Sequence, residues 1–198
     1  MTERHGITPS QTVGPYFAYA LTPGDAYSLT PLAGNDLVTP DTVGDPIVIE
    51  GRVTDGDGAP VPDCFLELWQ ADGAGRYPGQ PGEKLNTTFK GFGRGEADKD
   101  GRYHFHTVKP GPVPGLEGQM QAPHINVGVF ARGVLRRMFT RIYFADEDAN
   151  DGDAILALVP ADRRATLIAR RDGDAGGTRR YVFDVRLHGD DETVFFEA

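Results

Sequence analysis

His124 and Asn126 stand two residues apart in Ala122-Pro123-His124-Ile125-Asn126, a stretch whose apolar alternation reads as the start of a strand. Side chains at i and i+2 of a strand project to one face, so a His-x-His pair there grips a single ion from one side. This chain has the first imidazole and, in place of the second, a carboxamide. Two further stretches belong beside it. Gly75-Arg76-Tyr77 brings a phenol, and the turn Gly111-Pro112-Val113-Pro114 carries Val113 where a second phenol could sit. Tyr77, Val113, His124 and Asn126 look like a metal site with half its ligands missing.

Other chemistry in the chain is weaker. His104-Phe105-His106 has the same His-x-His spacing, but no acidic or cysteine cluster clearly completes it. Asp146 to Gly152 superficially resembles a calcium loop, yet its glycine falls one place late and Ala157 stands where a bidentate glutamate belongs. Gly91-Phe92-Gly93-Arg94-Gly95 lacks the spacing and the following helix of a nucleotide loop. Cys64, the single cysteine, lies in the apolar run Cys64-Phe65-Leu66-Glu67-Leu68-Trp69 and reads as a buried, inert thiol. Arg132, Arg136, Arg137 and Arg141 form a local basic run, most simply the solvated faces of a strand and its loop.

The elements that must position these residues are strands. The 26 glycines and 15 prolines are spread along 198 residues, which means many turns rather than one linker. Residues 1–46 read as an extended, proline-rich arm: Pro9, Pro15, Pro23, Pro31, Pro40 and Pro46 interrupt any helix or ladder. Its Tyr16, Phe17, Tyr19 and Tyr27 are too apolar for a solvated tail, so the arm is expected to lie on its own domain or on a partner. Residues 47–198 are expected to form one domain. Strands are predicted at Ile47–Val53, Phe65–Trp69 (buried on both faces), Arg102–Val108, Ile125–Phe130, Met138–Phe144 and Tyr181–Leu187. Thr193–Phe196 suggests a short edge strand, and a short helical insert is predicted over Arg163–Arg171, closed by Asp172-Gly173. The fold class expected is all-β, a β-sandwich. No run of apolar residues is long enough for a membrane helix, the first residues have no signal-peptide core, and a cytoplasmic location is the default expectation. A formal net charge of −9 argues against nucleic acid and anionic membranes as partners.

Over most of its length the chain resembles the intradiol ring-cleaving dioxygenases. The likeness rests on Thr8-Pro9-Ser10-Gln11-Thr12-Val13-Gly14-Pro15-Tyr16-Phe17, on Gly51-Arg52-Val53-Thr54-Asp55, on Glu67-Leu68-Trp69-Gln70-Ala71-Asp72 continuing to Gly75-Arg76-Tyr77, and on Asp100-Gly101-Arg102-Tyr103-His104-Phe105 with Lys109-Pro110-Gly111-Pro112. The resemblance implies a ferric iron held by two tyrosines and two histidines. Ferric iron is hard and favours anionic oxygen donors. Tyr77 and His124 alone would leave about two units of positive charge uncompensated, which is costly to bury. No metal is therefore expected on this chain, and Tyr77, Val113, His124 and Asn126 become vestigial ligand positions. A further departure is Gln121, where the iron-bearing chains have an arginine three places before the first histidine. By resemblance, Fe(III) is held by a partner beta subunit in a hetero-oligomer of alpha-beta pairs, and this chain alone is inactive. The same likeness implies that Thr12, Gly14, Pro15, Tyr16 and Arg132 line the partner's substrate cleft, with Arg132 and Tyr16 in catalytic roles. The substrate implied is protocatechuate, opened with dioxygen to 3-carboxy-cis,cis-muconate. Two other readings stay open: a single-chain enzyme with an altered metal site, and a non-enzymatic β-sandwich binding module of transthyretin type.

Overall fold

The computed structural model describes Thr12, Gly14 and residues 20–23, 32–79, 87–115 and 118–197. Eleven strands are present among them: β1 Pro46–Thr54, β2 Phe65–Trp69, β3 Phe92–Glu96, β4 Arg102–Val108, β5 Val113–Pro114, β6 Met120–Gln121, β7 His124–Phe130, β8 Met138–Phe144, β9 Ile168–Ala175, β10 Thr178–Val182 and β11 Val185–Arg186. Alternation dictates which faces are buried. In β1, Ile47, Ile49 and Val53 are at most 1% exposed, while in β4 Tyr103 and Phe105 turn inward and Arg102, His104 and His106 turn out.

Nine strands make one sheet in the order β11-β1-β10-β9-β8-β7-β2-β3, with β4 antiparallel to β1. The all-β class is as expected, but in place of two separate layers nine of the strands form one continuous sheet. Strand β9 makes the join, pairing antiparallel with β10 and parallel with β8. Residues of β1, β4 and β10 meet those of β2, β7 and β8 in one hydrophobic core. At the opposite end residues 34–37 fill the gap. The Gly34 carbonyl accepts from Arg94 on β3, while Asn35 and Leu37 exchange backbone bonds with His106 on β4, and Leu37 is buried in the core. The sheet is therefore nearly closed, and residues 34–37 cover edges that would otherwise be unpaired.

The helical insert is corrected by the structure. Only Arg164–Leu167 forms a 3-10 turn, and Ile168–Ala175 is β9. The decisive signal is Gly176-Gly177. Both residues have positive φ, 59° and 86°, and close a two-residue hairpin between Ala175 and Thr178. Helix occurs instead at Asp148–Gly152, a 3-10 turn, and at α1, Ala154–Ala157. The predicted strand Tyr181–Leu187 is split at Phe183-Asp184, and Thr193–Phe196 contributes only an isolated bridge from Phe196 to Phe139. Trp69 is 40% exposed rather than buried, because β2 ends at the rim, where its indole stacks on Tyr77 at 5.7 Å. Cys64 is fully buried, and burial pushes its thiol up to about 12.

Candidate functional site

The loop that presents Tyr77 is held by Asp72. One of its carboxylate oxygens accepts from the amides of Ala74 and Arg76, and the other takes a two-pronged bond from the Arg76 guanidinium at 3.0 and 2.7 Å. Two glycines then let this loop lie against the turn that carries Val113. Gly75 has φ +76°, and a Cβ there would lie 2.1 Å from the Pro112 carbonyl oxygen. A Cβ on Gly111 would meet the Gly73 carbonyl oxygen at 2.6 Å. Only glycine permits this approach, so the two loops are locked at the backbone.

His124 opens β7 and is 3% exposed. Its Nδ1 lies 2.8 Å from the Ala122 carbonyl. A carbonyl can only accept, so Nδ1 carries the proton and Nε2 keeps its lone pair. Burial first, then the charge of Arg141, lowers the imidazole to about 4, so it is neutral near pH 7. The buried carboxylate of Asp153 fixes the strand start. It accepts from the Ala122 amide at 2.8 Å, the Tyr143 hydroxyl at 3.1 Å, and the Ile155 and Leu156 amides that begin α1. Two residues along β7, Asn126 donates from Nδ2 to the Tyr77 hydroxyl at 3.5 Å and to the Trp69 carbonyl at 3.4 Å. Burial raises the Tyr77 phenol, and the charge of Arg141 offsets part of the rise. Val113 is 4% exposed and pairs in register with Gln121, whose Oε1 accepts from Arg141 Nη1 at 2.7 Å.

The second group of predicted site residues lies past the other end of β7. That strand is seven residues long, about 20 Å at ~3.3 Å per residue. Arg132 follows it and forms an ion pair with Asp63 at 2.7 Å, both side chains more than half exposed. The neighbouring Gly133 amide donates to Thr12 Oγ1 at 2.9 Å, a contact across 121 residues of sequence. The structure thus brings Thr12 to the Arg132 loop, and separates both from Tyr77 and His124. A Cβ placed on Gly14 would meet no atom within 4 Å among the described residues. Pro15 and Tyr16 lie outside the described residues. The basic run divides four ways: Arg132 pairs with Asp63, Arg136 is exposed, Arg137 lies over the Phe139 ring at 4.0 Å, and Arg141 is half-buried. Sequence reasoning missed Asp153, although an aspartate before Ala154-Ile155-Leu156-Ala157 is an N-cap signal. It also read Arg141 as part of a solvated face.

A dioxygenase family model matches residues 13–189, and the chain belongs to the intradiol ring-cleaving dioxygenase family. It is 48% identical over 195 residues to the protocatechuate 3,4-dioxygenase alpha chain of Burkholderia cepacia, covering 96% of this chain and 97% of that one. The protocatechuate 3,4-dioxygenase beta chain of the same organism is 36% identical over 170 residues, covering 82% and 72%. Among solved structures, the dioxygenase domain of a dioxygenase–carbohydrate-binding protein fusion from Streptomyces sp. SirexAA-E aligns with a TM-score of 0.62 and 26% identity, covering 92% of this chain and 99% of that chain.

This family is iron-dependent. The four positions here do not fit ferric iron. Val113 has no donor atom. The Asn126 amide is engaged with Tyr77 and Trp69, and its remaining oxygen is neutral. Tyr77 is a phenol made harder to ionise by burial, and a guanidinium stands close enough to act on both Tyr77 and His124. Such a donor set supplies at most one negative charge against three positive. No helix among the described residues is long and apolar enough to cross a membrane.

Proposed function

We propose that this chain is the alpha subunit of a protocatechuate 3,4-dioxygenase, paired with a beta subunit that holds the Fe(III). The pair cleaves protocatechuate with dioxygen between its hydroxyl-bearing carbons, giving 3-carboxy-cis,cis-muconate. The chain alone is inactive. It acts as one wall of the partner's substrate cleft, through residues 12–16 of the arm and Arg132. Residues 1–46 act as an arm on a single domain spanning 47–198.

The observation that carries this reading is the separation of two groups of residues along β7. Thr12 and the Arg132 loop meet at one end, while Tyr77 and His124, the remaining donors of the vestigial site, lie at the other. Residues that contact a substrate must lie within bonding reach of the reacting centre. A group about a strand's length away does not serve this chain's own site, and the 36% identical beta chain is the natural owner of a site it could serve. The chemistry is suited to the task. Arg132 offers a guanidinium fork that matches a carboxylate, and its exposed pairing with Asp63 is weak enough to be exchanged for a substrate carboxylate. The Thr12–Gly133 bond would hold this part of the chain beside it, so that Gly14 can be offered to the same substrate. The same supporting observations leave the transthyretin-type binding module without a feature of its own.

The test is co-expression with an iron-bearing beta chain. The two chains are expected to purify together and to consume dioxygen with protocatechuate. Arg132→Ala in that complex should leave iron content unchanged and raise KM about tenfold, the scale of one lost exposed charge contact. A full-length chain that by itself is coloured, binds stoichiometric iron and turns over would overturn the proposal.

A further inference from the structure

The four vestigial ligand positions converge on a side chain. Arg141 lies on β8 directly opposite Asn126 in the β7–β8 ladder. Its Nη1 donates to Gln121 Oε1 at 2.7 Å, and Gln121 is the register partner of Val113. The same nitrogen donates to the Tyr143 hydroxyl at 3.3 Å, and the Tyr143 ring lies 5.8 Å from that of His124. Tyr77 is tied to Asn126, and the field of the guanidinium reaches both Tyr77 and His124. One cationic group therefore opposes, bonds to a neighbour of, or acts electrostatically on each of the four positions. Among the described residues Arg141 forms no ion pair with a carboxylate, unlike Arg132, Arg137 and Arg94.

We infer that the guanidinium of Arg141 is the resident cation of this site, standing in place of a metal ion and excluding one. The physical reason is charge. A half-buried guanidinium is permanently protonated, and a second, multiply charged cation brought next to it meets repulsion that a low-dielectric surrounding does little to screen. Most polar groups that remain are also spent on the arrangement. Gln121 offers its oxygen to Arg141 and Asn126 donates to Tyr77, which leaves the His124 Nε2 lone pair as the one uncommitted imidazole donor among these groups. The missing donors at 113 and 126 are then half of the reason the site takes no iron, and Arg141 is the other half. The inference rests on the equivalence of the four positions to the family's ligands, and not on the role of the chain in a hetero-oligomer.

The test rebuilds the donors with and without the charge. Val113→Tyr/Asn126→His is compared with Val113→Tyr/Asn126→His/Arg141→Gln in the full-length chain, reconstituted with ferrous salt in air. Bound iron per chain and the visible tyrosinate-to-iron absorption are the readouts, and thermal melting checks the fold. The double variant should take up little iron. The triple variant should bind at least about tenfold more tightly, the least that removing one full neighbouring charge would give, and should be coloured. Arg141→Lys in place of Arg141→Gln should restore exclusion. Because Val113 is buried and a tyrosine there can disturb folding, Asn126→His with and without Arg141→Gln is also titrated with cobalt(II), with the same ordering expected. Equal metal binding with and without Arg141, or a folded triple variant that takes up none, overturns the inference. Neither readout depends on ring-cleaving activity or on a partner subunit, so failure here is distinct from failure of the proposed function.

Discussion

Asp153 is the residue whose removal should show most clearly how the start of β7 is held. Its carboxylate is fully buried and accepts four bonds, from Ala122 N, Tyr143 Oη, Ile155 N and Leu156 N. Asp153→Ala removes the N-cap of α1, which costs about 1 kcal/mol. It also strands the Ala122 amide and deprives the Tyr143 hydroxyl of its acceptor, at roughly 1–3 kcal/mol for each buried group left unpaired. The sum is about 3–7 kcal/mol, centred near 5. For a chain of this length each kcal/mol lowers Tm by about 2–4 °C, so a fall of roughly 10–20 °C is expected at the centre of that range. Asp153→Asn gives a finer test. Its single oxygen can keep the three bonds made at Oδ1, but its NH2 then faces the Ala122 amide, donor against donor, and the loss should be about half as large. The assay is calorimetric melting of the full-length chain, with urea unfolding as a second measure. If Asp153→Ala melts within about 2 °C of the unaltered chain, Asp153 is not the anchor and its four bonds add little to stability.

His124 should make stability depend on pH. Its folded pKa of about 4 lies below the unfolded value of 6.5, so the unfolded chain binds the extra proton first. The contribution is complete above about pH 6.5 and is lost as pH falls toward about 4, amounting to about 3 kcal/mol at 1.36 kcal/mol per pH unit. His124→Gln should flatten the pH dependence of urea-unfolding free energy between pH 6.5 and about 4, and an unchanged slope would remove His124 as its source. Gly75→Ala should cost more than about 3 kcal/mol, because the new methyl meets the Pro112 oxygen at 2.1 Å and φ is +76°. The same change at Gly173 also meets a positive φ but no neighbour within 4 Å, and should cost only about 1 kcal/mol, so equal losses at the two sites would refute the packing argument.

What the sequence shows well is whatever depends on local period. Ile47–Val53 and Arg102–Val108 alternate cleanly because each has one face on the core and one toward polar surroundings, and both are strands within a residue of expectation. The hairpin of β9 and β10 was hidden because Arg170, Arg171, Asp172 and Asp174 leave β9 exposed along most of its length, so no apolar alternation marks it. The arginine-rich run Arg163–Arg171 then satisfies helical composition as readily as strand. The loop positions of Tyr77 and Val113 follow from Gly75 and Gly111, but the reason for those glycines is a contact between chain segments distant in sequence. Arg141 was misjudged for a related reason. A basic residue on a strand is ordinarily solvated, and only the β7–β8 register, which sets it opposite Asn126, turns it into a pocket residue.

On the proposed reading, the same contacts explain how a chain of this family can lack two metal donors without losing the shape of the site. Where a metal holds a fold together, its binding free energy is folding free energy, and loss of ligands unfolds the surroundings. Here three of the proposed ligand-equivalent positions are fixed by bonds that do not pass through the ligand atom. Tyr77 is placed by Asp72 and by the Gly75–Pro112 contact, His124 by Asp153 through Ala122, and Asn126 by its ladder with Trp69 and Arg141. Changes at 113 and 126 therefore stay local, and the outer surfaces, including the Arg132 loop with Thr12 against it, keep their geometry. A shape that survives the loss of its own chemistry is what a wall for a neighbour's reaction chamber requires.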